Sequence, residues 1–240
     1  GWPPDYGGEK IIQIDIDPTE IGKNYPVEIG LVGDAKATLN IILRFVQKRL
    51  SKMDPARLKE FEENKKNRVE AIMKMKDQLK YFNESERESD VIPMDPRRVL
   101  KEIREFFDRE TIFLADCGNN YAWAARYLQV YSPRTFIVNG LTHMGASVAT
   151  TIGVKCGAPD RTVVDICGNG SFQMGCNEVV TASTYSIPVI WCILNDGAFS
   201  IIKHYQRFGW GKMKAGRYYM ADLYNMDFVK YAEASHAYSQ

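Results

Sequence analysis

"VVDICGNGS" (Val163–Ser171) is an apolar run that stops at a Gly-Asn-Gly turn, and "IWCILNDGAF" (Ile190–Phe199) is a second run that stops at Asn-Asp-Gly. Twenty-four residues separate Gly170 from Asn195. Each run has the length and β-branched content of a buried strand. Gly168 and Gly170 let backbone approach a ligand closely. Asn169 and Ser171 sit where the strand gives way to a helix, whose free N–H groups favour an anion. Oxygens from Asn169, Asp196 and a carbonyl of the Gly197-Ala198 turn suit a hard divalent ion, which binds through few protein oxygens plus phosphates and water. Either turn alone is an ordinary loop sequence. Their pairing at the ends of two strands points to a diphosphate bridged to Mg²⁺.

The same pattern recurs around them. "TIFLADCG", "RTFIVNG", "TVVDICGNG" and "PVIWCILNDG" are apolar runs ending in polar or glycine residues. The helical segments "YAWAARYLQ", "GASVATTIGVKCG" and "FQMGCNEVVTASTYS" separate them. Strands alternating with helices predict an α/β fold, a parallel sheet with helices on both faces, starting near Thr111. Ligands of such sheets sit at the carboxyl ends of the strands, where both turns fall. Asp95 and Pro96 are a natural N-cap and first residue for the helix "PRRVLKEIREFF" that opens this domain.

Upstream, "KIIQIDIDP" (Lys10 to Pro18) and Val27 to Val32 read as short strands. Asp34 caps a helix with Leu39, Ile42, Leu43 and Val46 at helical spacing. These strands are too few for a domain and are expected to be the tail of a Rossmann-like unit. Ser51 to Asp90 is rich in Lys, Glu, Arg and Asn and reads as a charged connector able to form a solvated helix. The expected organisation is 1–50 (remnant of a central domain), 51–90 (connector) and 91–240 (ligand-binding domain, its C-terminal boundary left open).

Composition narrows the function. Of 240 residues 45% are apolar and 25% charged, and the formal net charge is +1, so no global field points to nucleic acid or an anionic membrane. No apolar run approaches membrane-span length. The five cysteines form no CxxC pair and read as reduced thiols, which leads to a cytoplasmic expectation. Three scattered histidines make a histidine metal site unpromising.

With these residues in view, "VVDICGNGSFQM" followed by "IPVIWCILNDGAFSIIKHYQ" resembles the cofactor motif of thiamine-diphosphate-dependent enzymes, GDG and then NN some two dozen residues later. The resemblance is nearest to the acetolactate synthase-like large catalytic subunit. "DCGNNYAWAARYL" resembles that family's diphosphate loop. "PRTFIVNGLTHMGASVATTIGVKCGAPDR" resembles the stretch that holds the two cofactor rings. "KIIQIDIDPTEIGKNYPVEIGLVGDAKATL" resembles the end of its central domain.

The resemblance implies a thiamine-diphosphate-binding, pyrophosphate-type domain preceded by the tail of a Rossmann-like central domain. By position it implies Asn169, Asp196 and the Ala198 carbonyl as Mg²⁺ ligands. Gly168, Gly170, Ser171, Asn119 and Asn120 would lie at the diphosphate. Met144 would lie beneath the bent cofactor, the Thr142 carbonyl would accept from the cofactor's amino group, and His143 would be nearby. The activity implied is decarboxylation of a 2-oxo acid and transfer of the remainder to an acceptor, as in branched-chain amino acid biosynthesis. Sulfoacetaldehyde acetyltransferase and 2-oxo acid decarboxylases share these motifs and stay open as alternatives, as does a non-catalytic scaffold or regulatory fragment.

Two departures from the family pattern stand out. Its GDG aspartate is Asn169 here, and the second Asn of NN is Asp196, so one amide and one carboxylate remain but in exchanged places. The family's glutamate for N1′ of the pyrimidine lies in an N-terminal domain that nothing here matches. Glu178, on the helix after GNG, falls on the diphosphate side. No catalytic residue is therefore expected in this chain, which should be inert alone. A missing N-terminal pyrimidine-binding domain, or a chain supplying it, and a homodimer or tetramer are the expected partners. FAD could bind through the rest of the central domain.

Overall fold

The computed structural model describes residues 10–80, 82–138, 143–209, 218–224 and 226–240. The chain divides into two compact units, Gly1–Leu79 and Lys80–Gln240.

In the first unit, strands β1 (Ile12–Asp15) and β2 (Ile29–Val32) pair in parallel, Ile12 opposite Ile29. Helix α1 (Ala35–Leu50) starts where the Asp34 carboxylate accepts the Ala37 N–H at 2.8 Å. Helix α2 (Pro55–Gln78) starts where Asp54 accepts the Ala56 N–H at 2.9 Å. Both starts follow from an aspartate that satisfies an orphan N–H. None of the described residues of this unit is buried, and Leu39, Leu43 and Val46 of α1 are exposed. Two strands and two helices give each other too little apolar area to exclude water. Much of the charged connector is thus a solvated helix, α2.

In the second unit, α3 (Pro96–Phe106) begins at Asp95, whose carboxylate accepts the Arg97 N–H at 2.8 Å. There follow β3 (Ile112–Ala115), α4 (Asn119–Tyr127), β4 (Phe136–Val138), α5 (Ala146–Gly157) and β5 (Val163–Gly168). After β5 come α6 (Asn169–Gly175), α7 (Glu178–Thr184), β6 (Ile190–Leu194), α8 (Ser200–Phe208) and α9 (Phe228–Ala234). The four strands form one parallel sheet in the order β4-β3-β5-β6.

Side chains alternate across this sheet. Phe113, Ala115, Val164 and Ile166 pack with Leu100 of α3 and Ala124 of α4 on one face. Ile112, Leu114 and Val163 face Val154 of α5 on the other, and Cys167 joins Val148, Phe172 and Val179 of α5, α6 and α7 there. The chain is therefore an α/β fold with helices on both faces, as the alternation of runs predicts. One segment differs. The stretch expected as one helix after GNG is two, α6 and α7, parted at Cys176-Asn177. Gly175 and Asn177 are poor helix formers, and Gly175 is held where an added Cβ would come within 2.9 Å of Val148 Cβ.

Candidate cofactor site

The register of the sheet brings the two turns together. β5 and β6 are neighbours, and their last paired residues are Gly168 and Leu194. Asn169 and Asn195 follow at adjoining carboxyl ends. The turns also touch directly. A Cβ on Gly170 would lie 2.7 Å from Phe199 Cε1 and 2.9 Å from Leu223 Cδ1. The second turn is fastened in its place by Phe199 N–H donating to Ala221 O at 2.8 Å and Leu223 N–H to Gly197 O at 2.9 Å. Gly197 has φ +67, a conformation that favours glycine.

Between the turns lies a cavity of about 390 Å³, the size of a small-ligand site. Asn119, Asn120, Met144, Gly168, Asn169, Gly170, Ser171, Asp196 and Ala198 all line it. His143 is exposed and is not among its lining residues. Thr142 lies outside the described residues. Cys117, Met174, Phe199, Ser200, Ile201 and Ile202 line the cavity as well, and the motifs alone did not single them out. The available signal was adjacency: Cys117 precedes the Asn-Asn pair, and Ile201 and Ile202 follow the NDG turn by one helical turn.

Several of these polar groups first serve the fold. The buried Asn120 amide donates to Asp116 O at 2.7 Å and to Ile166 O at 3.0 Å, tying the ends of β3 and β5 together. Its nitrogen is thereby committed to backbone and fixes this loop. The buried Ser171 hydroxyl donates to Cys117 O at 3.1 Å, joining α6 to the same loop. Asp196 accepts the Ala198 N–H at 3.2 Å and the Ser200 hydroxyl. Asn169 is 1% exposed, whereas Asp196 is exposed. Burial, with Asp116 beside it, pushes the Cys117 thiol up, so it lines the cavity as a neutral group.

A diphosphate and a divalent ion fit this donor set. The glycine at 170 lets the two turns close on each other, Asn169 and Asp196 line one cavity, and the apolar Met144 and Ile202 line the same cavity for a ring system. Among the described residues no cluster of three His, Cys, Asp or Glu side chains could hold a metal alone. The ion chemistry compatible with two side-chain oxygens is one completed by phosphate and water.

Similarity to known proteins agrees with this geometry. Residues 116–239 match the family described as thiamine pyrophosphate enzyme, C-terminal TPP binding domain, and residues 1–42 match the central domain of the same enzymes. The first match covers more than half of the chain, and the chain belongs to the thiamine pyrophosphate enzyme family. Within it, the chain is 35% identical over 231 residues to a probable acetolactate synthase large subunit of Methanococcus aeolicus, covering 94% of this chain and 37% of that protein. It is 33% identical over 234 residues to the acetolactate synthase large subunit of Corynebacterium glutamicum, covering 93% of this chain and 34% of that protein. The chain thus spans little more than a third of the length of these relatives. Among the described residues, no helix is long and apolar enough to cross a membrane.

Proposed function

We propose that this chain is the cofactor-binding part of an acetolactate synthase-like enzyme that holds thiamine diphosphate and Mg²⁺ and acts on a 2-oxo acid. The observation that carries the reading is the convergence of the β5 and β6 turns on one cavity, with Asn169 and Asp196 among its lining residues. Asp196 supplies the metal's protein carboxylate, Asn169 an amide oxygen and Ala198 a carbonyl. The backbone of Gly168, Gly170 and Asn119 receives the diphosphate, while Ser171 and Asn120 hold that backbone in place. Met144 and Ile202 exclude water from the ring end. When bound, the cofactor's thiazolium supplies a carbon nucleophile for the substrate carbonyl and takes up the electrons left as CO₂ departs, so the protein contributes position and electrostatics.

The test is titration of the purified chain with thiamine diphosphate, with and without Mg²⁺, read through the fluorescence of its tryptophans. Trp123 of α4 packs on one face of the sheet, and Trp191 of β6 packs with the cluster on the other. Saturable quenching that requires Mg²⁺ is expected. No quenching at millimolar cofactor and metal, in a chain that melts cooperatively, would remove the cofactor from this cavity.

A further inference from the structure

Beside the loop that carries the cavity, two carboxyl groups share one hydroxyl. Ser147 Oγ lies 2.6 Å from Asp116 Oδ2 and 2.7 Å from Asp165 Oδ2. All three residues are buried. A hydroxyl carries one hydrogen and can donate to only one of the two oxygens. The other contact needs its hydrogen from a carboxyl group.

The surroundings decide which carboxyl carries it. Asp116 accepts three backbone N–H groups, from Cys117 at 2.6 Å, Gly145 at 3.1 Å and Ser147 at 2.9 Å. Such a set stabilises the charged form. For Asp165, Oδ1 has no nitrogen or oxygen donor among the described residues, and the Cys167 thiol is a weak donor beside it. Among the described residues, the titratable groups that face Asp165 are Asp116 from the end of β3, Cys167 on its own strand and Cys192 from β6. None of these is basic.

We propose that Asp165 holds a proton which it donates to Ser147 Oγ, that Ser147 in turn donates to Asp116, and that this chain keeps Asp116 the charged anchor for the Cys117 and Gly145 amides beside the cavity. Asp165, Ser147 and Asp116 are positioning residues; none needs to touch a ligand. Cys117 lines the cavity directly and Gly145 adjoins Met144, so the consequence for cofactor binding rests on the reading above, whereas the proton chain does not. Burial pushes the Asp165 carboxyl up to about 7, and the charge of Asp116 adds to it against the Ser147 hydrogen bond. When Asp165 releases its proton to solvent, Ser147 still donates to Asp116. The Asp165 contact then places two oxygens face to face with no hydrogen between them and two negative charges in one buried pocket. The anchor loosens above neutral pH.

Infrared spectroscopy of the ligand-free chain in deuterated buffer tests the proton directly. A buried protonated-carboxyl stretch is expected at about pH 6 and lost by about pH 8.5, above the ordinary carboxylate range. The band should be absent in Asp165→Asn. Hydrogen exchange supplies the positional readout. Once corrected for intrinsic rates, protection of the Gly145 and Ser147 amides should fall with rising pH in the parent chain. It should stay constant in Asp165→Asn, whose amide still donates to Ser147 and cannot ionise. Asp116→Asn should lose this protection throughout. Absence of the band at about pH 6 in the unaltered chain, or the same loss of protection in Asp165→Asn, would overturn the proposal, and the first measurement needs no variant to fold. Thiamine diphosphate affinity should fall several-fold across the same interval in the parent and stay flat in Asp165→Asn. If the band and the protection behave as expected but no cofactor binds at any pH, the proton chain stands and the cofactor assignment falls.

Discussion

The two turns that meet at the cavity are built on opposite principles. The β5 turn is dry: Asn169 and Ser171 are each 1% exposed, and Gly170 is pressed against Phe199. The β6 turn is wet at its acidic residue, since Asp196 is exposed and only the following Ala198 is buried. This difference gives the exchanged amide and carboxylate a physical basis. A buried, unneutralised carboxylate costs several kcal/mol before any metal arrives, whereas an amide can be satisfied by hydrogen bonds. With the amide on the dry side and the charge on the wet side, the empty fold does not depend on the ion. Asp196 still lines the cavity.

The largest effect should come from forcing the turns apart. Gly170→Ala would put a methyl group 2.7 Å from Phe199 Cε1 and 2.9 Å from Leu223 Cδ1. Overpacking of this kind costs about 1–3 kcal/mol. A lowered melting temperature and loss of Mg²⁺-dependent quenching are expected together. An unchanged melting temperature with intact binding would show that the contact between the turns holds nothing.

Asp196→Ala should separate binding from folding. It removes an exposed side chain whose bonds are local to its own turn. Mg²⁺-dependent cofactor affinity should fall by roughly ten- to a hundredfold, as expected for losing the charged ligand of a hard cation. The melting temperature of the free chain should hardly move. Asn169→Ala should show the reverse weighting, with a stability loss of about 1–3 kcal/mol for a truncated buried polar group and a smaller effect of metal. Equal and negligible effects of both alanine changes on binding would end the metal assignment.

Much of this was legible in the sequence, for identifiable reasons. A parallel sheet buried on both faces writes its strands as apolar runs, and the β3 and β5 runs are of that kind, whereas the equally apolar β6 run is an edge strand with none of its residues fully buried. Turn chemistry is local, so the residues of both turns could be named from their spacing. Packing between elements is not local. Nothing in the spacing of Asp116, Ser147 and Asp165 announces that two carboxyl groups, strangers in sequence, share one hydroxyl. Asn120 is expected at the diphosphate because its loop resembles the family's diphosphate loop; only the fold shows its amide nitrogen spent on the ends of β3 and β5. The first unit is the converse case. Its strand and helix signals are as clear as those downstream, yet none of its described residues is buried. Local propensity specifies elements, and a core needs more apolar partners than that unit gives itself.

A finer test of the dry and wet assignment is Asn169→Asp, which puts a second carboxylate on the buried side. Desolvation should raise its pKa above the ordinary carboxylate value of about 3.9. A group whose folded pKa is raised contributes stability below its unfolded pKa and loses it as pH rises through the folded one. Relative to the parent, the variant should therefore match at about pH 4 and be weaker by about 1–2 kcal/mol at neutral pH. Mg²⁺ with thiamine diphosphate should restore part of the loss. Thermal melts across pH, with and without both ligands, give the answer. A variant as stable as the parent at neutral pH without metal would mean that position 169 is not dry in solution.

The smallest expected effect belongs to Met144. Half-buried, it lines the cavity just before Gly145, whose φ of +84 bends the chain into α5. Truncation to alanine removes apolar contact from the proposed ring end but leaves the oxygens of the two turns untouched. Two to three methylene equivalents at about 0.8 kcal/mol each, roughly halved for partial exposure, correspond to about three- to tenfold in affinity. The melting temperature of the free chain should stay near that of the parent, because a side chain partly open to water stabilises the fold little. Met144→Leu keeps the volume and should keep the affinity. In a full-length parent enzyme, Met144→Ala should also lower turnover if this side chain supports a bent cofactor. The decisive comparison is with Asp196→Ala. Loss of affinity at Met144 should persist for the cofactor but vanish for inorganic diphosphate with Mg²⁺, which has no ring to support. Loss at Asp196 should persist for both. Equal losses for the two ligands at Met144 would place this side chain at the diphosphate instead, and no loss for either would remove it from the site.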